Sequence, residues 1–276
     1  MQRSGISETG RASRTAMMTA HARGAHLLMY GPRAVLSDWL AWPLVGAEAE
    51  SLTTMSRSIF GDSAPSVATW VAARSRFTED WLAGSEAVQY VILGAGLDTF
   101  AWRQTGQLRV FEVDHPASQA WKRSRLDALP VAAPPELLWA PVDFEVESLA
   151  DGLRRAALGL GPTFISWLGV VPYLSLDAIR ATLSGLPPCT LAVSHGTPQD
   201  TWPDEVRAVS ESFVSVAARA GEPPLTRLAP ERFSALLAEH GFETVERVGY
   251  SDVEPRWGLP ALSIGNERLV LAVKRD

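Results

Sequence analysis

The chain predicts an α/β fold: a mostly parallel sheet with helices on both faces, carrying a helical segment ahead of its first strand. Three observations predict it. No β-rich run occurs before residue 87, and helix-favouring residues dominate that stretch. Short apolar, β-rich runs then follow at 87–93, 108–113, 137–142, 163–167, 190–194, 243–248 and 268–273. Segments of helical spacing lie between successive runs, and strands alternating with helices build right-handed crossovers around a parallel sheet. Proline and glycine punctuate loops without forming a long linker. The organisation expected is therefore a helical cover over residues 1–85 on a sheet domain over 86–276, forming one structural unit.

The elements follow in order. Residues 1–10 are polar and are expected to stay disordered. Ala16, Met17, Ala20, Ala22, His26, Leu27 and Met29 give a helical stripe from about Ala12 until Gly31-Pro32 breaks it, a second short helix reaches Trp42, and a third runs over 66–83 to Gly84. Beyond residue 87, helical spacing covers 116–129, 176–186 and 231–240. The last of these has Pro230 near its first turn, Gly241 at its end and Phe233, Leu236 and Leu237 on one face. No period of about 20–50 residues repeats, which excludes a solenoid.

Composition narrows the function. Net charge is −6, and no cluster of Lys and Arg offers a phosphate-binding surface, so nucleic acid is not an expected partner. The single Cys189 excludes a disulfide scaffold and a thiolate zinc site, and no His/carboxylate cluster suggests another metal. With no secretory-type apolar core near the N-terminus, the expected location is cytoplasmic. Residues 156–176 carry no charge and are long enough to span a bilayer. Gly159, Gly161, Pro162, Gly169 and Pro172 make them loops around a buried strand instead, so no membrane association is expected. The ten tryptophans favour core packing, with an indole-lined pocket for a flat ligand as the other reading, and Trp39, Trp42 and Trp70 are the ones to place.

The sharpest local feature is VILGAGLDTFAWR, residues 91–103, a strand running into Gly94-Ala95-Gly96. At the carboxyl end of a first parallel strand, such a turn lets backbone approach a ligand. The next strand, VFEVDH, ends in Asp114, 20 residues after Gly94, where a carboxylate can accept hydrogen bonds from both hydroxyls of a ribose. Together they read as a nucleoside site. A dinucleotide would need a third glycine for its pyrophosphate, but position 99 is Thr, followed by Phe100 and Trp102. S-adenosylmethionine, which has adenine, ribose and an amino-acid tail but no phosphate, fits better.

These motifs, with VAARSRFTEDWL upstream, VFEVDHPASQAWKRSRL, and FISWLGVVPYLSLDAIRATL downstream, resemble in order and spacing the leucine carboxyl methyltransferase family. The branch resembled is the bacterial one of S-adenosylmethionine-dependent O-methyltransferases acting on small molecules. The resemblance implies a Rossmann-like class I methyltransferase fold of seven strands, the last antiparallel, with the N-terminal helices folding over the cofactor. It also implies roles: Arg74 for the carboxylate of the methionine moiety, Gly94 and Gly96 along that tail, Asp114 at the ribose, and Asp143 and Phe144 at the adenine. Ala95, His115 and Ser166 are further cofactor-binding candidates, with the ammonium contact either lost or supplied by backbone carbonyls near Ser166 and Trp167. A surface salt bridge to Glu79 or Asp80 is the alternative for Arg74, and a helix N-cap the alternative for Asp143. The chain departs from eukaryotic members at Leu168, where they carry an acidic residue.

For chemistry, an ionised carboxylate acceptor needs no base, whereas a phenol is helped by one. His195, after the fifth strand, is the candidate base, and Tyr173 the candidate orienting hydroxyl. Arg23 and Arg227 are candidates for contact with an acidic acceptor, with an ordinary surface charge as the alternative for each. The expected activity is methylation of a carboxylate or phenolic hydroxyl of a small natural-product intermediate, releasing S-adenosylhomocysteine. Two other readings stand beside it: a nicotinamide-dependent oxidoreductase, and a methyltransferase-like binding module or cyclase without transfer activity. Oligomeric state is not legible.

Overall fold

The structure is a computed structural model describing residues 13–106, 108–144, 146–202, 204–219, 221–259 and 266–275. The polar N-terminal ten residues lie outside these. Four helices precede the sheet. In α1 (Arg14–Tyr30) the Ser13 hydroxyl caps the first turn by accepting the Ala16 amide, and Gly31 ends it at φ 52°. The short α2 (Ala41–Val45) follows a loop, so Trp42 lies in its first turn rather than at a helix end. Next come α3 (Ala49–Phe60), which the sequence showed only as a general helical tendency, and α4 (Ala64–Ala83). The latter begins two residues earlier than expected because Pro65 fits a first turn, where a missing N–H costs no helical hydrogen bond.

The sheet alternates strands and helices: β1 (Gln89–Leu93), α5 (Phe100–Arg103), β2 (Arg109–Asp114), α6 (Pro116–Asp127), β3 (Leu137–Pro141), α7 (Leu149–Arg155), β4 (Thr163–Trp167), α8 (Leu176–Gly185) and β5 (Cys189–Gly196). The chain continues with α9 (Asp204–Arg219), α10 (Pro230–Glu239), β6 (Phe242–Val248), α11 (Val253–Trp257) and β7 (Glu267–Lys274). Strand order is β3-β2-β1-β4-β5-β7-β6, with β1 to β5 parallel and β7 antiparallel to both β5 and β6. β5 extends beyond the expected 190–194 because β7 pairs along its whole length, from Cys189 opposite Lys274 to Gly196 opposite Glu267. That antiparallel register brings the start of β7 to the edge where the parallel strands end.

Both faces are covered, as continuous apolar runs require. Val91, Leu93, Phe111, Ile165 and Leu191 pack with Leu153, Ile179, Leu183, Phe233 and Leu237 of α7, α8 and α10. The alternate residues Tyr90, Ile92, Val110, Phe164 and Ala192 pack with Leu82 of α4 and Ala101 of α5. The uncharged stretch 156–176 contains β4, a 3-10 turn over Val171–Tyr173 and the start of α8. Among the described residues no helix is long and apolar enough to cross a membrane.

Candidate functional site

A cavity of about 1240 Å³ opens at the carboxyl ends of β1, β2, β4 and β5, roofed by residues of α1, α3, α4 and α9. Single small-molecule sites span roughly 300–1,000 Å³, so two ligands fit.

Its sheet-edge wall is fixed by backbone. Gly94 and Gly96 have φ of 65° and 50°, left-handed values that favour glycine, and a Cβ on Gly94 would stand 2.4 Å from Val170 Cγ2. The requirement for glycine at position 94 thus comes from the β4 turn as well as from the cavity. The Gly94 and Ala95 amides donate to the Val113 carbonyl. Asp114 is anchored twice: Oδ2 accepts the Gly96 amide at 2.5 Å and Oδ1 the His115 amide at 2.7 Å. Burial raises its pKa and these two amides oppose the rise. Each oxygen keeps a lone pair for a further donor.

His115 caps α6 by accepting the Ala117 amide on Nδ1, and its Nε2 lies 3.6 Å from Asp143 Oδ2. The N-cap of α7 is Ser148, so that role does not fall to Asp143, which lines the cavity with Phe144. Ser166 also lines it, its hydroxyl accepting from Tyr90 at 2.7 Å.

Arg74 is 8% exposed and faces the cavity from α4. Nη1 donates to both oxygens of Glu267, at 2.9 and 3.0 Å, while Nε is buried without a partner. The surface pairings considered for it do not form: Glu79 holds Arg103, and Asp80 holds Arg76 and Arg256. One edge of the guanidinium is therefore unpaired, with its donors in the fork arrangement that takes a carboxylate. This unpaired edge, the two left-handed glycines and the doubly anchored Asp114 fit an amino-acid tail joined to a ribose.

The opposite wall is mostly apolar, with Met18, Leu28, Val67, Phe60, Phe213 and Trp202 among its side chains. Trp42 and Trp70 face the cavity, whereas Trp39 is 48% exposed and outside it. Tyr173 lines this wall, and burial holds its hydroxyl protonated well above the usual tyrosine range. Arg227 also lines it, lying 5.3 Å over the Trp202 ring.

Two expected site residues stand elsewhere in role. His195 is 1% exposed, stacks on Phe233 and bonds the Gly196 carbonyl through Nδ1. It is absent from the cavity wall because side chains alternate along β5 and its own faces α10. Burial lowers its pKa to about 4. Arg23 touches the cavity but is committed: Nε donates to Asp38 Oδ2 at 2.7 Å and Nη2 to the Leu97 carbonyl at 2.6 Å.

Other residues escaped the sequence reading. Asp38, fully buried, also accepts Thr99 Oγ1 at 2.6 Å and lies 3.8 Å from Arg103, whose guanidinium forks onto Glu79. Burial would raise its carboxyl, but Arg23 and Arg103 outweigh that and hold it below its usual range. Thr99, standing where a third glycine would, thus ties the roof to the sheet. Lys122 donates to the Asp98 carbonyl at 2.5 Å and to Glu112 at 2.6 Å, both side chains being fully buried. A carboxylate inside the apolar run VFEV was the available signal for that pair. Glu222 accepts from Ser13 Oγ, Thr15 Oγ1 and the amides of Arg14 and Thr15, closing the roof onto α1.

Residues 16–186 match the family model described as leucine carboxyl methyltransferase. A candidate S-adenosyl-L-methionine-dependent methyltransferase of Bacillus subtilis (strain 168), YktD, is 28% identical over 280 residues, covering 88% of this chain and 90% of that protein. A similarly described protein of Frankia alni is 30% identical over 219 residues, 73% of each chain. Among solved structures, a DUF574-family protein from Streptomyces avermitilis superposes with a TM-score of 0.63 at 19% identity, over 96% of this chain and 98% of that one. A candidate methyltransferase from Thermobifida fusca gives 0.64 at 17% identity, over 98% and 97%. These two likenesses are of fold.

Proposed function

The chain belongs to the leucine carboxyl methyltransferase family, and from that premise we propose that it methylates a carboxylate or phenolic oxygen of a small acidic molecule, a natural-product intermediate, in the cytoplasm. Its activity class is S-adenosylmethionine-dependent methyl transfer. The observation that carries an acidic acceptor is Arg227. It lies over an indole at an apolar wall, forms no ion pair among the described residues, and has its pKa lowered by burial. A poorly hydrated cation facing apolar surface is stabilised by an anion.

When bound, S-adenosylmethionine supplies an electrophilic methyl group on a sulfonium. This chain's residues hold the partners in line, and positioning of that kind supplies much of the rate. The unpaired edge of Arg74 takes the tail carboxylate and Asp114 the ribose hydroxyls. Arg227 orients the acceptor anion, with Tyr173 beside it as a hydrogen-bond donor rather than a base. A carboxylate arrives ionised, so no proton acceptor is required; a phenol would bind as its phenolate beside Arg227, its proton given up to solvent on entry. Its methyl ester is neutral and loses attraction to Arg227, which favours release.

The test is transfer of labelled methyl from S-adenosylmethionine to a panel of aromatic and aliphatic acids and phenols, each paired with its neutral amide or ether. Base-labile label on the acids, as methyl esters, or base-stable label on the phenols, as methyl ethers, is expected. Label confined to neutral or amine acceptors would sink the reading.

A further inference from the structure

We propose that Glu267 binds the ammonium group of the cofactor's amino-acid tail, so that Arg74 and Glu267 together read a zwitterion. The inference rests on the placement of S-adenosylmethionine along the sheet-edge wall. Four observations carry it. The antiparallel pairing of Glu267 with Gly196 sets it at the edge where β1 and β4 end, and its side chain, 12% exposed, lines the same cavity as Gly94 and Ser166. Its carboxylate is oriented by two donors: Oε2 accepts Trp70 Nε1 at 2.5 Å and Arg74 Nη1 at 3.0 Å, while Oε1 accepts Arg74 Nη1 alone, at 2.9 Å. Oε1 therefore has capacity left for a cation's donor.

Arg74 spends Nη1 on Glu267 and leaves its buried Nε unpartnered. In an α-amino acid one carbon bears both the carboxylate and the ammonium group, so a carboxylate on the unpaired edge of Arg74 delivers the ammonium beside Glu267. Finally, Leu168, which shares this corner of the cavity, packs against the cluster holding Trp70 and Phe77 and offers no charge. An ammonium group moved from water into such a corner needs an anion, and the Arg74 guanidinium alone would repel it.

A merely structural Glu267, holding Arg74 in place, would weaken every ligand carrying a carboxylate, with or without its ammonium. Calorimetric titration of wild type and Glu267→Gln with three ligands separates the roles: S-adenosylhomocysteine, its deaminated analogue and its decarboxylated analogue. Wild type is expected to prefer S-adenosylhomocysteine over the deaminated analogue by about tenfold or more, the scale of a hydrogen bond to a charged group. In Glu267→Gln that preference should shrink to about twofold, while the preference over the decarboxylated analogue persists. Preference for the ammonium surviving in Glu267→Gln overturns the proposal, as does equal weakening of the parent and deaminated ligands. No binding of S-adenosylhomocysteine to wild type would overturn the cofactor placement itself. Should Glu267→Gln fail to give a normal melting transition, Glu267→Asp keeps the charge but withdraws it by one methylene. Its ammonium preference should fall measurably, and an unchanged preference overturns the proposal.

Discussion

At the sheet edge, Asp114 is gripped by two backbone amides and Gly94 and Gly96 are held in left-handed conformations. Across the same cavity, the wall from α1, α3, α4 and α9 presents mostly apolar side chains hung from helices. The first wall takes its shape from strand ends, turns and hydrogen bonds that a side-chain change does not redraw. The second takes its shape from the side chains themselves. A common cofactor and a variable acceptor are the ligands such a division suits.

The largest expected effect breaks the first wall from below. Lys122→Met strands Glu112, buried beneath the turn that carries Gly96, and should cost about 3–5 kcal/mol of stability by denaturant unfolding, the range for halving a buried ion pair. A loss under about 1 kcal/mol would mean that the turn does not depend on this pair. Next, Asp114→Ala should weaken S-adenosylhomocysteine binding by about 1–3 kcal/mol in calorimetry, with little change in acceptor recognition; unchanged affinity would misplace the ribose.

Arg227→Leu probes the second wall. Affinity for S-adenosylhomocysteine should stay within about twofold while KM for an acidic acceptor rises about tenfold, a loss of roughly 1.4 kcal/mol. Equal effects on both ligands would erase the contrast between the walls. The smallest effect on turnover is expected at His195. His195→Phe keeps a ring on Phe233 and should leave kcat within about twofold, against the hundredfold or greater loss typical of a missing base.

The same variant sharpens the pH behaviour. In the native fold His195 and His26 both have pKa values lowered to about 4 by burial, so the unfolded chain binds more protons between about pH 4 and 6.5. Their contribution to stability is complete above 6.5 and is lost as pH falls through 4. Melting temperature followed across that window should fall less steeply in His195→Phe than in wild type.

The two walls were also unequally legible. Glycines after a strand and an aspartate at the tip of the next are local signals, because the parallel register carries them to one edge. Strand positions were legible for a similar reason, since runs buried on both faces stay apolar regardless of what covers them. Side chains on separate helices meet only through packing, which one sequence does not display. That is why Asp38, Glu222 and Glu267 went unseen, and why Arg23, read as an acceptor contact or an ordinary surface charge, proves bound to Asp38 and Leu97. His195 misled because its edge position is correct and its face is not: one residue along a strand reverses the side chain's direction.

The link from Thr99 through Asp38 to Arg23 and Arg103 has a consequence for how the molecule comes apart. Stripping away the first 85 residues would leave Arg103 without both of its carboxylates and Thr99 without its acceptor, and would uncover the apolar face bearing Tyr90 and Ile92. Roof and sheet should therefore melt in one cooperative step rather than two.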